Sequence, residues 1–135
     1  MRAVLIHDRY SRGGRLVKML EKIPDIEMVT QSENIGDVPE LCTAHTPDLL
    51  IMNTFSKTIS SLEYISYVKQ NFPDVKVFVM TGAKDDDLAI KAKKAGADIV
   101  ARKNLSLDEL IHIIRYSQKH YRIFANTQND PQAPD

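Results

Sequence analysis

The chain has 135 residues with 18 basic and 18 acidic side chains, so its formal net charge at neutral pH is zero. This length is typical of one compact domain, and the balanced charge excludes a strong overall field for nucleic acid or an anionic membrane. A single cysteine excludes an intramolecular disulfide, and neither a signal peptide nor a membrane-spanning run is found, so we expect a cytoplasmic protein without a membrane partner.

Three Pro-Asp pairs, each followed by an apolar run, mark junctions from helix to strand. The runs are IPDIEMV, TPDLLIM and FPDVKVFVM, and AGADIVA is a fourth junction with Gly96 as the helix stop. Proline cannot continue a helix, and the residues after it suit a buried strand. Between junctions the apolar residues recur at helical spacing, and Ser106 followed by Glu109 predicts a capping box. In chain order the sequence predicts strand 2–7, helix 12–22, strand 26–31, helix 36–45, strand 48–53, helix 59–71, strand 75–81, helix 85–95, strand 98–102 and helix 106–119.

Strict alternation of helices with strands that are apolar throughout predicts a doubly wound α/β fold, a parallel sheet covered on both faces. We expect five strands in the order 2-1-3-4-5, as in flavodoxin-like folds, with the more polar run IEMVTQ at an edge. In this class the ligand crevice lies at the carboxyl ends of the strands. Residues 1–122 form this predicted domain. Residues 123–135 lack periodicity and are predicted to be a disordered tail or a linker.

Polar residues stand where the predicted strands end. His7 and Asp8 follow strand 1, Asn53 strand 3, Thr81 strand 4 and Lys103 strand 5. Because parallel strands end at one edge of the sheet, these side chains should converge on one crevice. The alternative, that polar residues simply terminate strands, is equally compatible with the spacing alone.

The sequence resembles the receiver domain of bacterial response regulators over nearly all of residues 1–122. VLIHDRY, PDLLIMN, VFVMTGAKDDD and KAGADIVARKN match the family's acidic pair, phosphoacceptor strand, conserved hydroxyl and invariant lysine. YSQKHYRIF is most similar to the subfamily with a LuxR-type helix-turn-helix output domain. The resemblance implies a two-component signal-transduction protein that regulates transcription, is related to the partners of sensor kinases, and reaches DNA only through a separate output domain.

In that family two carboxylates after strand 1 and a third after strand 3 hold Mg²⁺, and the third accepts a phosphoryl group. The resemblance implies that Asp8, Thr81 and Lys103 are kept, whereas His7 replaces one acid and Asn53 the phosphoacceptor. Two unit charges 4 Å apart interact by about 4 kcal/mol at an effective dielectric of 20, so losing two carboxylates should weaken Mg²⁺ binding by orders of magnitude. An amide is also a poor nucleophile. We therefore expect a degenerate phosphorylation site, with no catalytic residue and no metal cofactor.

A second departure concerns the aromatic switch residue that the family commonly carries on strand 5. Val100 occupies the matching position, so Thr81 lacks the side chain that moves with the family's hydroxyl. With both positions altered, the chain resembles an atypical or pseudo-receiver. The resemblance then implies a regulatory module, not an enzyme, that is locked in one conformation or responds to a ligand or partner.

Two surfaces are candidate interfaces. A predicted basic patch around helix 4 and strand 5 comprises Lys91, Lys93, Lys94, Arg102 and Arg9. A group predicted to lie off the core stripes of helices 1 and 5 comprises Met19, Ile113, Tyr116 and His120. Charge runs are usually solvated, but exposed apolar groups on neighbouring helices predict contact with a protein partner or a second copy.

Other motifs point to less specific roles. SRGGR at 11–15 has neither dinucleotide-loop nor P-loop spacing, so a flexible helix start is favoured. The four histidines share no metal-ligand spacing, and Cys42 lies on an apolar stripe as a core residue. His7 beside Asp8 could act as a pH-responsive pair, although a satisfied histidine at a strand end is the simpler interpretation.

Three functional hypotheses remain. The leading one is a regulatory module that works through a protein partner or homodimer and positions a DNA-binding domain. The alternative is a sensor whose uncharged crevice binds a small molecule or nucleotide. A flavodoxin-like electron carrier is disfavoured, because the first strand-helix loop lacks the hydroxyl-rich sequence that binds a flavin phosphate.

Overall fold

The computed structural model describes residues 1–7, 14–53, 59–82, 86–102, 105–117 and 123–124. Its strands are β1 (Arg2–His7), β2 (Glu27–Ser32), β3 (Leu49–Asn53), β4 (Lys76–Thr81), β5 (Ile99–Arg102) and β6 (Ile123–Phe124). Its helices are α1 (Arg15–Glu21), α2 (Val38–His45), α3 (Ile59–Asn71), α4 (Asp86–Ala95) and α5 (Leu107–Ser117), with a 3₁₀ turn at Ile35–Asp37. Every predicted helix and strand is present, close to its predicted bounds.

The described strands form one sheet in the order β2-β1-β3-β4-β5-β6, and all neighbours are parallel. The predicted order 2-1-3-4-5 is confirmed, and β2 lies at an edge as predicted. The short strand β6 was not predicted, because it falls in the segment assigned to the tail and two residues are too few for a periodic pattern. It pairs with Ile99 and Val100 of β5.

The sheet is covered on both faces, because successive residues of a strand point to opposite sides. Leu5 belongs to the core cluster under α1 and α5, whereas its neighbour Ile6 belongs to the cluster under α2, α3 and α4. Cys42 is fully buried in the second cluster, so its prediction as a core residue is confirmed. Burial raises the pKa of the Cys42 thiol to about 11, which keeps it protonated and unreactive.

A buried ion pair joins α3 to the start of β5. Lys69 Nζ lies 2.9 Å from Asp98 Oδ2 and donates to the Val75 carbonyl at 2.9 Å. The same carboxylate oxygen accepts from the Val77 N–H at 2.9 Å, and Asp98 is only 3% exposed. The stem of Lys69 passes Gly96, which adopts a φ of +117°. These contacts fix the end of α3 against the starts of β4 and β5.

Replacing Gly96 with alanine should lower the free energy of unfolding by more than about 1 kcal/mol, because only glycine adopts this φ without strain. The added Cβ would also lie 3.0 Å from Lys69 Cγ. Urea unfolding of the wild type and the variant measures the difference. An unchanged unfolding midpoint would show that the turn after α4 tolerates a side chain.

The predicted capping box is present at the start of α5. The Ser106 N–H donates to Glu109 Oε1 at 2.9 Å, and the Glu109 N–H donates to Ser106 Oγ at 3.1 Å. Hydrogen bonds to the Glu109 carboxyl, first from the Ser106 N–H and second from the Ser106 side chain, lower the pKa of that carboxyl. Two amides that α5 itself cannot satisfy are therefore paired.

Replacing Ser106 with alanine should cost about 1 kcal/mol of stability at neutral pH, the usual loss for a helix cap. Because the folded pKa of Glu109 is lower than the unfolded one, the contribution of its carboxylate is full above the unfolded pKa. It is lost as the pH falls through the lowered folded pKa. The variant keeps the Ser106 N–H bond to the carboxylate and loses the Ser106 side-chain bond, so only the part of the cost due to the side chain should shrink in acid. Urea unfolding at neutral pH and at a pH below the folded pKa of Glu109 measures the change. A cost that does not change with pH would argue against this capping arrangement.

Candidate functional site

The pairing of β1, β3 and β4 brings three of the predicted site residues to one end of the sheet. His7 is the register partner of Asn53, and Asn53 is the partner of Met80, which directly precedes Thr81. All three polar residues are buried: His7 is 2% exposed, Asn53 8% and Thr81 1%. Asp8 and Lys103 lie outside the described residues. Parallel pairing therefore places His7 and Asn53 in register at one end of the sheet, with Thr81 one residue beyond the register partner of Asn53.

The imidazole of His7 is held by β2. Its Nε2 lies 3.1 Å from Gln31 Oε1, within hydrogen-bond distance. This bond fits the simpler interpretation of His7, a satisfied histidine at a strand end. Gln31 was not predicted as a site residue. The register of β2 against β1 shifts between Ala3 and Val4, and a local sequence pattern does not reveal such a shift.

The amide oxygen of Asn53 is buried. In the part of the chain that the structure describes, no hydrogen bond reaches Asn53 Oδ1. A buried acceptor left unpaired costs about 1–3 kcal/mol, so this oxygen is a favourable position for an incoming donor. It is therefore the most distinctive chemical feature of the crevice.

The described donors do not fit Mg²⁺. This ion prefers oxygen ligands in octahedral geometry and is usually held through carboxylates. His7 contributes a nitrogen base whose Nε2 is already bonded, and Asn53 contributes a single neutral oxygen. Within the described ranges, no cluster of three or more His, Cys, Asp or Glu could hold a metal ion.

Val100, at the position of the family's switch residue, is fully buried in the core cluster under α2, α3 and α4. Its backbone pairs with Val79 on one side and with Phe124 of β6 on the other. A branched aliphatic side chain in this environment is packed on all sides and stiff about χ1. The Val100 side chain therefore cannot replace an aromatic ring that moves between a buried and an exposed position.

The prediction that Met19 and Ile113 are exposed is wrong. Met19 is 8% and Ile113 4% exposed, and both belong to the core cluster under α1 and α5. These helices cover the same face of the sheet, so residues beside the central stripe of each helix are also buried. Tyr116 is half-buried against this cluster, and its ring stacks on that of His112 with centroids 6.0 Å apart. His120 lies outside the described residues.

The predicted basic patch is exposed on α4. Lys91, Lys93 and Lys94 are exposed, Arg102 is half-buried, and Arg9 lies outside the described residues. Lys91 Nζ lies 3.3 Å from Asp87 Oδ2, one turn earlier on the same helix. Lys91 and Lys94 also border a groove between α3 and α4, a feature that the sequence did not predict.

A search of the described helices for one with the length and apolar character of a membrane span found none.

Comparison with known proteins places these observations in a family. A family model described as the response regulator receiver domain matches residues 4–115. The transcriptional regulatory protein DegU of Brevibacillus brevis is 26% identical over 109 residues, which cover 81% of this chain and 45% of DegU. The transcriptional regulatory protein LiaR of Bacillus subtilis is 26% identical over 119 residues, which cover 88% and 56%. The chain thus spans about half the length of these relatives.

Solved structures share the fold. The signal receiver domain of NarL from Mycobacterium tuberculosis has a TM-score of 0.74 at 18% identity, covering 87% of this chain and 95% of that one. RcsB from Salmonella typhimurium has a TM-score of 0.78 at 16% identity, covering 95% and 64%. At these identities the similarity concerns the arrangement of the sheet and helices.

Proposed function

The chain belongs to the response regulator receiver family, whose members are regulatory signal-transduction domains. We propose that, within this family, it is a pseudo-receiver. It is not phosphorylated at residue 53 and acts through protein contacts. The observation that carries the proposal is the pair His7 and Asn53, in register at the end of the sheet and buried together. Neither side chain supplies a carboxylate.

The charge of the crevice disfavours phosphorylation. Mg²⁺ must be drawn from water by negative ligands, and phosphoryl transfer to the domain needs a carboxylate oxygen as nucleophile. Asn53 supplies a neutral amide, and the His7 imidazole hydrogen-bonds to Gln31. Asp8 and Lys103, both outside the described residues, carry one negative and one positive formal charge, which cancel. The crevice therefore lacks both the field that retains the ion and the group that accepts phosphate.

The proposed output is contact with a protein partner or a second copy, which positions a separate DNA-binding domain. Relatives named as transcriptional regulators support this, as does a solved structure of RcsB dimers bound to DNA. Lys91, Lys94 and Tyr116 remain candidate contact residues, whereas Met19 and Ile113 are core residues.

Incubation with acetyl phosphate and Mg²⁺, followed by intact-mass measurement, tests the proposal. We expect no gain of a phosphoryl group, because residue 53 offers no carboxylate nucleophile. The matched control is Asn53→Ala, which should give the same mass spectrum as the wild type apart from the substitution. A stable phosphoryl gain that disappears in Asn53→Ala would refute the proposal.

A second candidate function, ligand sensing in the crevice, is supported by the unpartnered Oδ1 of Asn53. A small molecule or nucleotide that donates a hydrogen bond there would be stabilised by satisfying a buried acceptor. A thermal-shift screen of such compounds against wild type and Asn53→Ala separates the two functions. A saturable shift that the variant loses would favour the sensor.

A further inference from the structure

A shallow groove of about 510 Å³ lies between α3 and α4, on the helical layer opposite α1 and α5. Half-buried apolar side chains, Leu62 of α3 and Ala95 of α4, contribute to its lining. The groove is pre-formed, because Ser66 Oγ donates to the Ala95 carbonyl at 3.2 Å and ties the two helices together. A partner would therefore not need to order this surface on binding.

The two walls of the groove differ in chemistry. Lys91 and Lys94 lie on the α4 wall, and both are exposed. Asp87, the ion-pair partner of Lys91, is itself 83% exposed, so this contact is weak and easily exchanged for another carboxylate. Tyr67 lies on the α3 wall with Glu63, and its ring is tilted against that of Phe72 with centroids 6.3 Å apart. The cationic edge of the groove is thus on α4.

Exposed apolar groups lie on both helices of the groove. Among the described residues, the exposed large apolar side chains are Tyr67, at 39%, and Ile90, at 52%. They lie on the two helices that form the groove, and Ile90 directly precedes Lys91 and is one turn before Lys94. Apolar anchors bordered by like charges are typical of a surface that recognises an amphipathic segment of opposite charge.

We propose that this groove binds an acidic segment of a partner protein. Apolar side chains of the segment cover Leu62 and Tyr67, and its carboxylates meet Lys91 and Lys94. Glu63 on the opposite wall orients the segment, because a carboxylate on that side would be repelled. The inference rests on the proposed function, since it names the surface through which the regulatory module acts.

The test begins with selection of peptides from a random phage-displayed library against the full chain. Selected peptides are then synthesised with a fluorophore, and binding is measured by anisotropy. We expect the peptides to combine Asp or Glu with large apolar residues. The double variant Lys91→Gln/Lys94→Gln should weaken binding by about tenfold, the sum of two exposed charge pairs. Tyr67→Ala should weaken it by at least about fivefold, as for an interface anchor.

Two matched variants control for charge alone. Lys93→Gln removes one positive charge, whereas the double variant removes two. Lys93 is exposed on α4 and does not line the groove, so binding should change by less than about twofold. Glu63→Gln should tighten binding, because it removes a repulsive carboxylate. The inference would be overturned if no peptide were selected or if the selected peptides lacked acidic residues. It would also be overturned if Lys93→Gln and the double variant lost the same amount of binding affinity. The phosphorylation test at residue 53 does not use these lysines, so the two proposals can fail separately.

Discussion

Replacing Lys69 with methionine should lower the free energy of unfolding by about 3 kcal/mol, near the lower limit for breaking a buried ion pair. The loss is large because the Asp98 side chain is only 4% exposed and would lose the ammonium that lies 2.9 Å away. Methionine retains an apolar stem beside Gly96 but makes no bond to the Val75 carbonyl. The Lys69 side chain is 20% exposed, so water that reaches this position can solvate the Asp98 carboxyl and reduce the destabilisation.

Urea unfolding followed by circular dichroism measures this effect. The matched control is Lys91→Met, which removes the pair with Asp87, whose side chains are 58% and 83% exposed. That pair should contribute no more than about 0.5 kcal/mol. If Lys69→Met and Lys91→Met were equally stable, the ion pair between Lys69 and Asp98 would not hold α3 against the start of β5.

Restoring both carboxylates in the double variant His7→Asp/Asn53→Asp should raise Mg²⁺ affinity by at least about a hundredfold. Each added negative charge near the ion contributes several kcal/mol at an effective dielectric of about 20, even before ligand geometry is considered. Titration calorimetry with Mg²⁺ measures the change. Acetyl phosphate should then modify residue 53, because an aspartate oxygen is a competent nucleophile.

Each single substitution is a control for the double variant. Asn53→Asp alone adds the nucleophile and one charge, and His7→Asp alone adds only a charge, so each should bind Mg²⁺ more weakly than the double variant. His7→Asn/Asn53→Ala, which adds no charge, should bind like the wild type. A double variant that binds Mg²⁺ no better than the wild type would contradict the electrostatic explanation.

Much of the fold could be predicted from local signals. The Pro-Asp pairs at Pro24, Pro47 and Pro73 end helices for a steric reason, and the apolar runs after them are long enough to identify buried strands. Burial of Cys42 and the cap formed by Ser106 and Glu109 followed from helical spacing. These features depend on residues close together in the chain, which is why the pattern was sufficient.

Features that depend on distant contacts were missed or predicted wrongly. Met19 and Ile113 lie beside the central stripes of their helices, but α1 and α5 cover the same face and bury both. Gln31 reaches His7 only because the register of β2 shifts. The groove depends on how α3 and α4 pack against each other, and the apolar pattern of a single helix does not predict this packing.

The candidate site was predictable in part. His7, Asn53 and Thr81 were identified because parallel strands end at one edge, and the described register pairs His7 with Asn53 and puts Thr81 one residue beyond the partner of Asn53. The roles of Asp8 and Lys103 stay predictions, since both lie outside the described residues. The unpartnered oxygen of Asn53 is a property of the three-dimensional arrangement, and residue order does not reveal it.

The most direct test of the central claim is ¹⁹F NMR of the wild-type chain with beryllium fluoride and Mg²⁺, a combination that mimics an acyl phosphate on a carboxylate. If the end of the sheet is too poor in negative charge, only free fluoride species should be seen, and His7→Asp/Asn53→Asp should give bound signals. Bound signals in the wild type that disappear in Asn53→Ala would contradict the account.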